Sequence, residues 1–207
     1  MVFRFRARSL VLLSATLAWI ALGATSGLRA DAPLSQRDAD SLRQKILSIR
    51  QYAVSTPAGA RLTPVDEAEL NSYIRFELAD ELPAGIVDPY VDIVGGGEVR
   101  ARAIVDLDLV RQARPRGWLD PMAYLGGRVP VMASGRVVAR QGEARFEFGS
   151  ATVAGLGVPK LVLDELVAFY TRSQANPRGL SLDAPFALPV RIAEIAVEPG
   201  RAVVLQR

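Results

Sequence analysis

Between Glu98 and Val110 apolar and charged residues alternate. Val99, Ala101, Ala103, Val105, Leu107 and Leu109 take the odd positions, while Arg100, Arg102, Asp106 and Asp108 take most of the even ones. A period of two is the pattern of a strand with one dry face and one wet face. It predicts a strand over 98–110, joined to a strand at 91–94 (VDIV) through the turn Gly95-Gly96-Gly97. Further strands are predicted at 128–133, 136–141 and 144–153, with turns at Ser134-Gly135 and Gln141-Gly142, and a last hairpin turns at Glu198-Pro199-Gly200. These segments read as a short antiparallel meander.

In three places the period changes to that of a helix. Over 35–53, Leu42, Ile46, Ile49 and Ala53 share one face opposite charges, and Ser35 followed by Asp38 supplies a start signal. Over 64–82, Leu70, Ile74, Leu78 and Leu82 recur every fourth residue, with Thr63 as predicted N-cap, Pro64 at the first helical position and Pro83 and Gly85 as the stop. Over 160–173, KLVLDELVAFYTRS places Leu163, Leu166, Val167 and Tyr170 on one side and leaves little polar face. That helix is predicted to be deeply buried. A sheet dry on one face needs a cover, and the helices at 64–82 and 160–173 are the available ones. The fold class is α+β, a curved antiparallel sheet covered by two helices with an additional N-terminal helix.

The first thirty residues stand apart. Arg4, Arg6 and Arg8 precede an apolar run from Leu10 to Ala24, and small residues follow, with Ala30 and Ala32 as cleavage positions. This is the layout of a secretory signal peptide. The alternative is a retained anchor, since the run can be drawn out to Leu28, near the ~20 residues a span requires. Either way the remaining chain is expected outside the cytoplasm, with residues 31–207 as a single domain; retention would add a membrane association.

The leader also accounts for the basic character of the chain. Of 25 basic and 22 acidic residues, four arginines and no acid lie in residues 1–30, so 21 basic face 22 acidic residues in the remainder. Neither nucleic acid nor a strongly anionic surface is an implied partner. There is no cysteine and no histidine, which removes Ser-His-Asp and Cys-His catalysis, the usual zinc ligand sets, and disulfides. Three weaker candidates have simpler readings. Asp106 and Asp108 could form a carboxylate pair, yet they continue the charged row of a wet sheet face. GLGVPK at 155–160 lacks the Gly-Lys-Ser/Thr of a phosphate loop and reads as a turn into a proline-started helix. Ser41 and Lys45 lie one turn apart on an exposed helical face. The expectation is a protein that is not an enzyme and takes no cofactor or metal.

The succession LTPVDEAELNSYI (62–74), GRVPVMASGRVV (127–138), the VPKLVLDELVAFY helix and PFALPVRIAEIAVEPGRAVV (185–204) resembles small envelope proteins of the LmeA-like and YpmS-like kind, related to the tubular lipid-binding (TULIP) superfamily. The resemblance implies a strongly curved antiparallel sheet holding a long helix, with an apolar cavity for lipid tails, and it carries no catalytic residues. The expected ligand is a lipid or another hydrophobic small molecule. Its lining would be Ile74, Leu78, Val105, Leu107, Leu163, Leu166, Val167 and Tyr170, and an acyl chain would gain ~0.8 kcal/mol per buried methylene. The alternative is a structural or partner-binding module whose own side chains fill the groove.

Overall fold

The structure is a computed structural model that describes residues 33–55, 59–113, 126–171, 178, 181 and 184–207, without the side chains of 166, 167 and 169–171. The leader, residues 114–125, and the side chains of Leu166, Val167 and Tyr170 therefore lie outside the described residues. The described fold is α+β, an antiparallel open sheet of nine strands with four helices.

Helix α1 (Gln36–Val54) starts as the sequence predicts, Ser35 Oγ accepting from the Asp38 N–H at 3.1 Å. The Ser35 N–H donates to Ser72 Oγ at 3.1 Å, which ties this start to the next helix. Ala39, Leu42 and Ile49 are its buried residues.

The predicted helix over 64–82 is corrected at both ends. Arg61–Asp66 forms strand β1, with Thr63 opposite Val204 and Pro64 opposite Val203 in the last strand. Helix α2 begins at Glu67, capped by Asp66 in a capping box with Glu69, and ends at Phe76 before a 3-10 turn at Ala79–Glu81. The Asp66 N–H donates to Glu69 Oε2 at 2.9 Å. Pro64 is tolerated because β1 is an edge strand, where a missing N–H removes no ladder bond.

Strands β2 (Ile86–Gly95) and β3 (Glu98–Asp106) form the expected hairpin. However, β3 stops at Asp106, whose Oδ1 accepts from the N–H groups of Asp108 and Leu109 and so caps a short helix α3 (Leu107–Ala113). Leu107 and Leu109 leave the strand there. β4 (Arg128–Arg140) is continuous through the predicted turn at Ser134-Gly135, and β5 (Glu143–Val153) pairs along it with Gly149 bulged out. Gly135 is needed for contact, not for turning: a Cβ there would overlap the Phe146 ring and sit 2.7 Å from the Glu147 carbonyl oxygen. After β6 (Leu156–Gly157) come helix α4 (Lys160–Thr171), β7 (Phe186–Ala187) and the hairpin of β8 (Ile192–Glu198) and β9 (Arg201–Gln206).

The sheet order is β1-β9-β8-β4-β3-β2, with β5 on β4 and β6 and β7 on β5. One edge of β4 serves two hairpins in succession: residues 128–136 pair with β3, and Ala139 pairs with Ile195 of β8. The two hairpins are stitched at their ends by Gly200 N–H to Ile93 O (2.7 Å) and Gly97 N–H to Val197 O (3.4 Å). β2 and β8 are not sheet neighbours; the tips meet because both hairpins line the same edge of β4. Helix α2 then closes the free edge of β2 with side chains. Asn71 bonds both backbone groups of Val91, and Glu67 Oε2 accepts from the Ile93 N–H at 2.7 Å.

Candidate functional site

Cross-strand register sorts the sheet into two faces, because residues directly opposite in an antiparallel pair project to the same side. One face is apolar throughout its middle. Ala101, Ala133 and Ala151 form one row across β3, β4 and β5, and Ala103, Val131 and Val153 form the next. Val105 opposite Val129 extends it toward one end, and Gly135 opposite Phe148 and Val137 opposite Phe146 extend it toward the other. The same face continues as the row Thr63, Val204, Ile195, Ala139 and Ala144.

Cover over this face is uneven. Ala139, Ala144, Val204 and Thr63 are buried, and α1 lies over the β1–β9 part, where Gln206 Nε2 donates to the Ile49 carbonyl at 3.0 Å. Along β3–β4–β5 the strip is mostly half-buried; Ala101 is exposed and Val153 is 40% exposed. The side chains at its centre are alanines, so the backbone there has a methyl group where a packed core would place leucine or isoleucine. The row is flanked along the strip by valines on one side and phenylalanines on the other. The largest fully buried side chains among the described residues are polar (Gln206, Asn71 and Ser72).

The opposite face is polar and self-paired. Arg102 stacks over the Tyr90 ring at 4.1 Å and faces Asp92 at 3.8 Å, Arg100 bonds Glu98 at 2.9 Å, and Ser134 and Ser150 share a hydrogen bond of 2.9 Å. A recess of ≈ 200 Å³ lies among Asp92, Arg100, Arg102, Met132, Ser134 and Thr152. A second, of ≈ 290 Å³, opens where β8 separates from β4, between Arg136 and Val197. Both are smaller than the ~300–1,000 Å³ usual for small-molecule sites.

Two carboxylates are held in their charged form. Backbone donation from Leu109, with Arg128 and Asp108 N–H adding to it, brings the Asp106 carboxyl below its ordinary value. Burial pushes the Glu69 carboxyl up, but hydrogen bonds from Lys45, Ser41 and the Asp66 N–H outweigh it and leave the group lowered. Asp106 thus caps a helix and pairs with Arg128, while Asp108 pairs with Arg111 and accepts from the Gly127 N–H. They do not project together from one strand as a catalytic pair would. Ser41 and Lys45 both bond Glu69, so neither is an isolated nucleophile or base. Among the described residues no cluster of His, Cys, Asp or Glu could hold a metal ion, and no helix is long and apolar enough to cross a membrane.

Of the sequence-predicted lining residues, Val105 lies on the apolar strip, half-buried. Leu107 is the first residue of α3 instead. Ile74 and Leu78 are half-buried in and just after α2, whose contacts are with α1, β1 and β2. Leu163 is half-buried on α4, which packs on β5. Val129, Val131, Ala133 and Ala151 share the apolar face with Val105, and their signal in the sequence is the alternation within GRVPVMASG and ARFEFGSATV.

No protein-family model matches the chain, and no curated protein or solved structure is significantly similar to it.

Proposed function

We propose that this is an exported, non-enzymatic envelope protein that binds a lipid or another hydrophobic molecule along the β3–β4–β5 strip. The observation that carries the reading is the alanine row. Ala101, Ala133 and Ala151 stand side by side on the dry face, and its cover thins across this row from buried Ala151 through half-buried Ala133 to exposed Ala101, whereas Ala139 and Ala144 are buried. An acyl chain laid along it would supply the missing methylenes, each worth ~0.8 kcal/mol on leaving water. The basic-apolar leader supports export, and the resemblance to LmeA-like and YpmS-like proteins supports a lipid as ligand. The absence of histidine and cysteine from the chain supports a binding role.

The test is native mass spectrometry and lipid extraction on protein released gently from its host envelope, with Ala133→Leu alongside. Wild type should carry a co-purifying hydrophobic species, and Ala133→Leu, which crowds the row, should carry less at an unchanged melting temperature. A single unliganded mass, with no uptake of offered fatty acid or phospholipid, would overturn the reading and leave a structural or partner-binding module.

A further inference from the structure

The apolar strip ends where β3 stops, β4 begins and β5 turns back, and several large aliphatic side chains are exposed at that end. Val153 and Leu156 are cross-strand partners on either side of the turn at Ala154-Gly155, 40% and 75% exposed. Leu161 (72%) and Val162 (44%) follow on the first turn of α4, and Leu109 (44%) stands across β4 in α3. Leu156 beside the hairpin turn and Leu161 at the start of α4, five residues apart, are the most exposed of these.

We infer that this tip docks on a lipid bilayer by inserting Leu156 and Leu161, which places the open end of the strip against the membrane. The inference rests on the lipid-binding reading above and adds the route by which the ligand reaches the strip. Two observations favour a bilayer over a protein. First, a few partly exposed aliphatic side chains fall well short of the ~800 Å² per partner that a stable protein interface buries, whereas shallow insertion of a small apolar surface suffices for reversible membrane binding. Second, three ion pairs stand at this end among the described residues: Arg128 with Asp106 (3.2 Å), Lys160 with Asp164 (2.9 Å) and Arg111 with Asp108. Charges paired in this way neither require an acidic surface nor select a charged partner. The insertion is therefore apolar, and insensitive to salt and to anionic lipid.

Flotation with phosphatidylcholine vesicles, with and without phosphatidylglycerol and at low and high salt, tests it on the purified protein. Wild type should float under all four conditions, and so should Leu62→Asp, which alters a leucine 66% exposed on β1. Leu156→Asp combined with Leu161→Asp should reduce binding about tenfold or more while leaving the melting temperature in place. Uptake of a monomeric fluorescent fatty acid without vesicles reads the strip alone and should survive in that double variant. Uptake without vesicle binding overturns the docking tip and spares the strip; vesicle binding without uptake does the reverse. Equal flotation of wild type and double variant, or flotation only with phosphatidylglycerol that salt reverses, also overturns the tip. Self-association of wild type that the double variant abolishes, without flotation, assigns the patch to a second copy of the chain instead.

Discussion

Asn71 holds Val91 by both of its backbone polar groups: Nδ2 donates to the carbonyl at 2.9 Å and Oδ1 accepts from the N–H at 2.7 Å. A side-chain amide thereby takes the place of a neighbouring strand. The same Nδ2 also donates to the Glu67 carbonyl one turn back at 2.9 Å, so the residue is fully buried and used on both sides. Asn71→Leu leaves these groups without partners in a buried setting, at a cost of ~1–3 kcal/mol for each one that water cannot reach. Urea unfolding should show a fall in midpoint on the order of that for two lost groups. Asn71→Asp, which sets a carboxylate oxygen against the Glu67 and Val91 carbonyls in a buried site, should fall at least as far.

Glu69 makes stability sensitive to acid. Its carboxyl is lowered from an ordinary value of 4.5 in the folded protein, so the unfolded chain binds the proton more readily. The stabilisation is present in full above 4.5 and is lost as pH falls through the folded value. Denaturation midpoints measured from pH 7 to pH 3 should decline more steeply for wild type than for Glu69→Gln. At pH 7 the substitution should cost about 1–3 kcal/mol, since Lys45, Ser41 and the Asp66 N–H lose a charged acceptor.

The two faces of β4 can be compared at adjacent positions. Val131→Asp places a charge on the apolar strip and should destabilise by about 1–3 kcal/mol; Met132→Asp, 56% exposed on the polar face, should stay within about 0.5–1 kcal/mol. Equal losses in thermal unfolding would contradict the assignment of faces.

Gly135→Ala should be costlier than a surface glycine substitution elsewhere, by ~1–3 kcal/mol from overpacking against Phe146 and the Glu147 carbonyl. Gly157→Ala, with open space around it, is the control.

Much of the architecture could be read from local pattern. The alternation from Val99 to Val105, the Ser35 start of α1 and the turn at Pro199-Gly200 reflect chemistry within a few residues. What escaped was set by distant partners. Thr63 and Pro64 carry helix-start signals, but the strand 201–206 offers them a ladder, and Asp66 with Glu69 supplies the cap actually used. Leu107 and Leu109 extend the alternation of β3, yet Asp106 turns its carboxylate onto the following N–H groups and ends the strand. Ser134-Gly135 has turn chemistry, but its glycine makes room for Phe146. For the site, each strand's own pattern marked its dry positions. Only the register across β3, β4 and β5 shows that three alanines fall in one row.

The pairing of β1 with β9 sets an order for folding. Arg61–Asp66 makes its ladder with residues 201–206 alone, and the first residue of α2, Glu67, donates its N–H to Gly200 at 2.9 Å. Strand and helix start both wait on a segment about 140 residues further along, a separation that slows the search for native contacts. While the chain is being made, α1 has no finished sheet to lie on. A chain shortened by residues 201–207 should therefore lose protection from proteolysis first at residues 61–76.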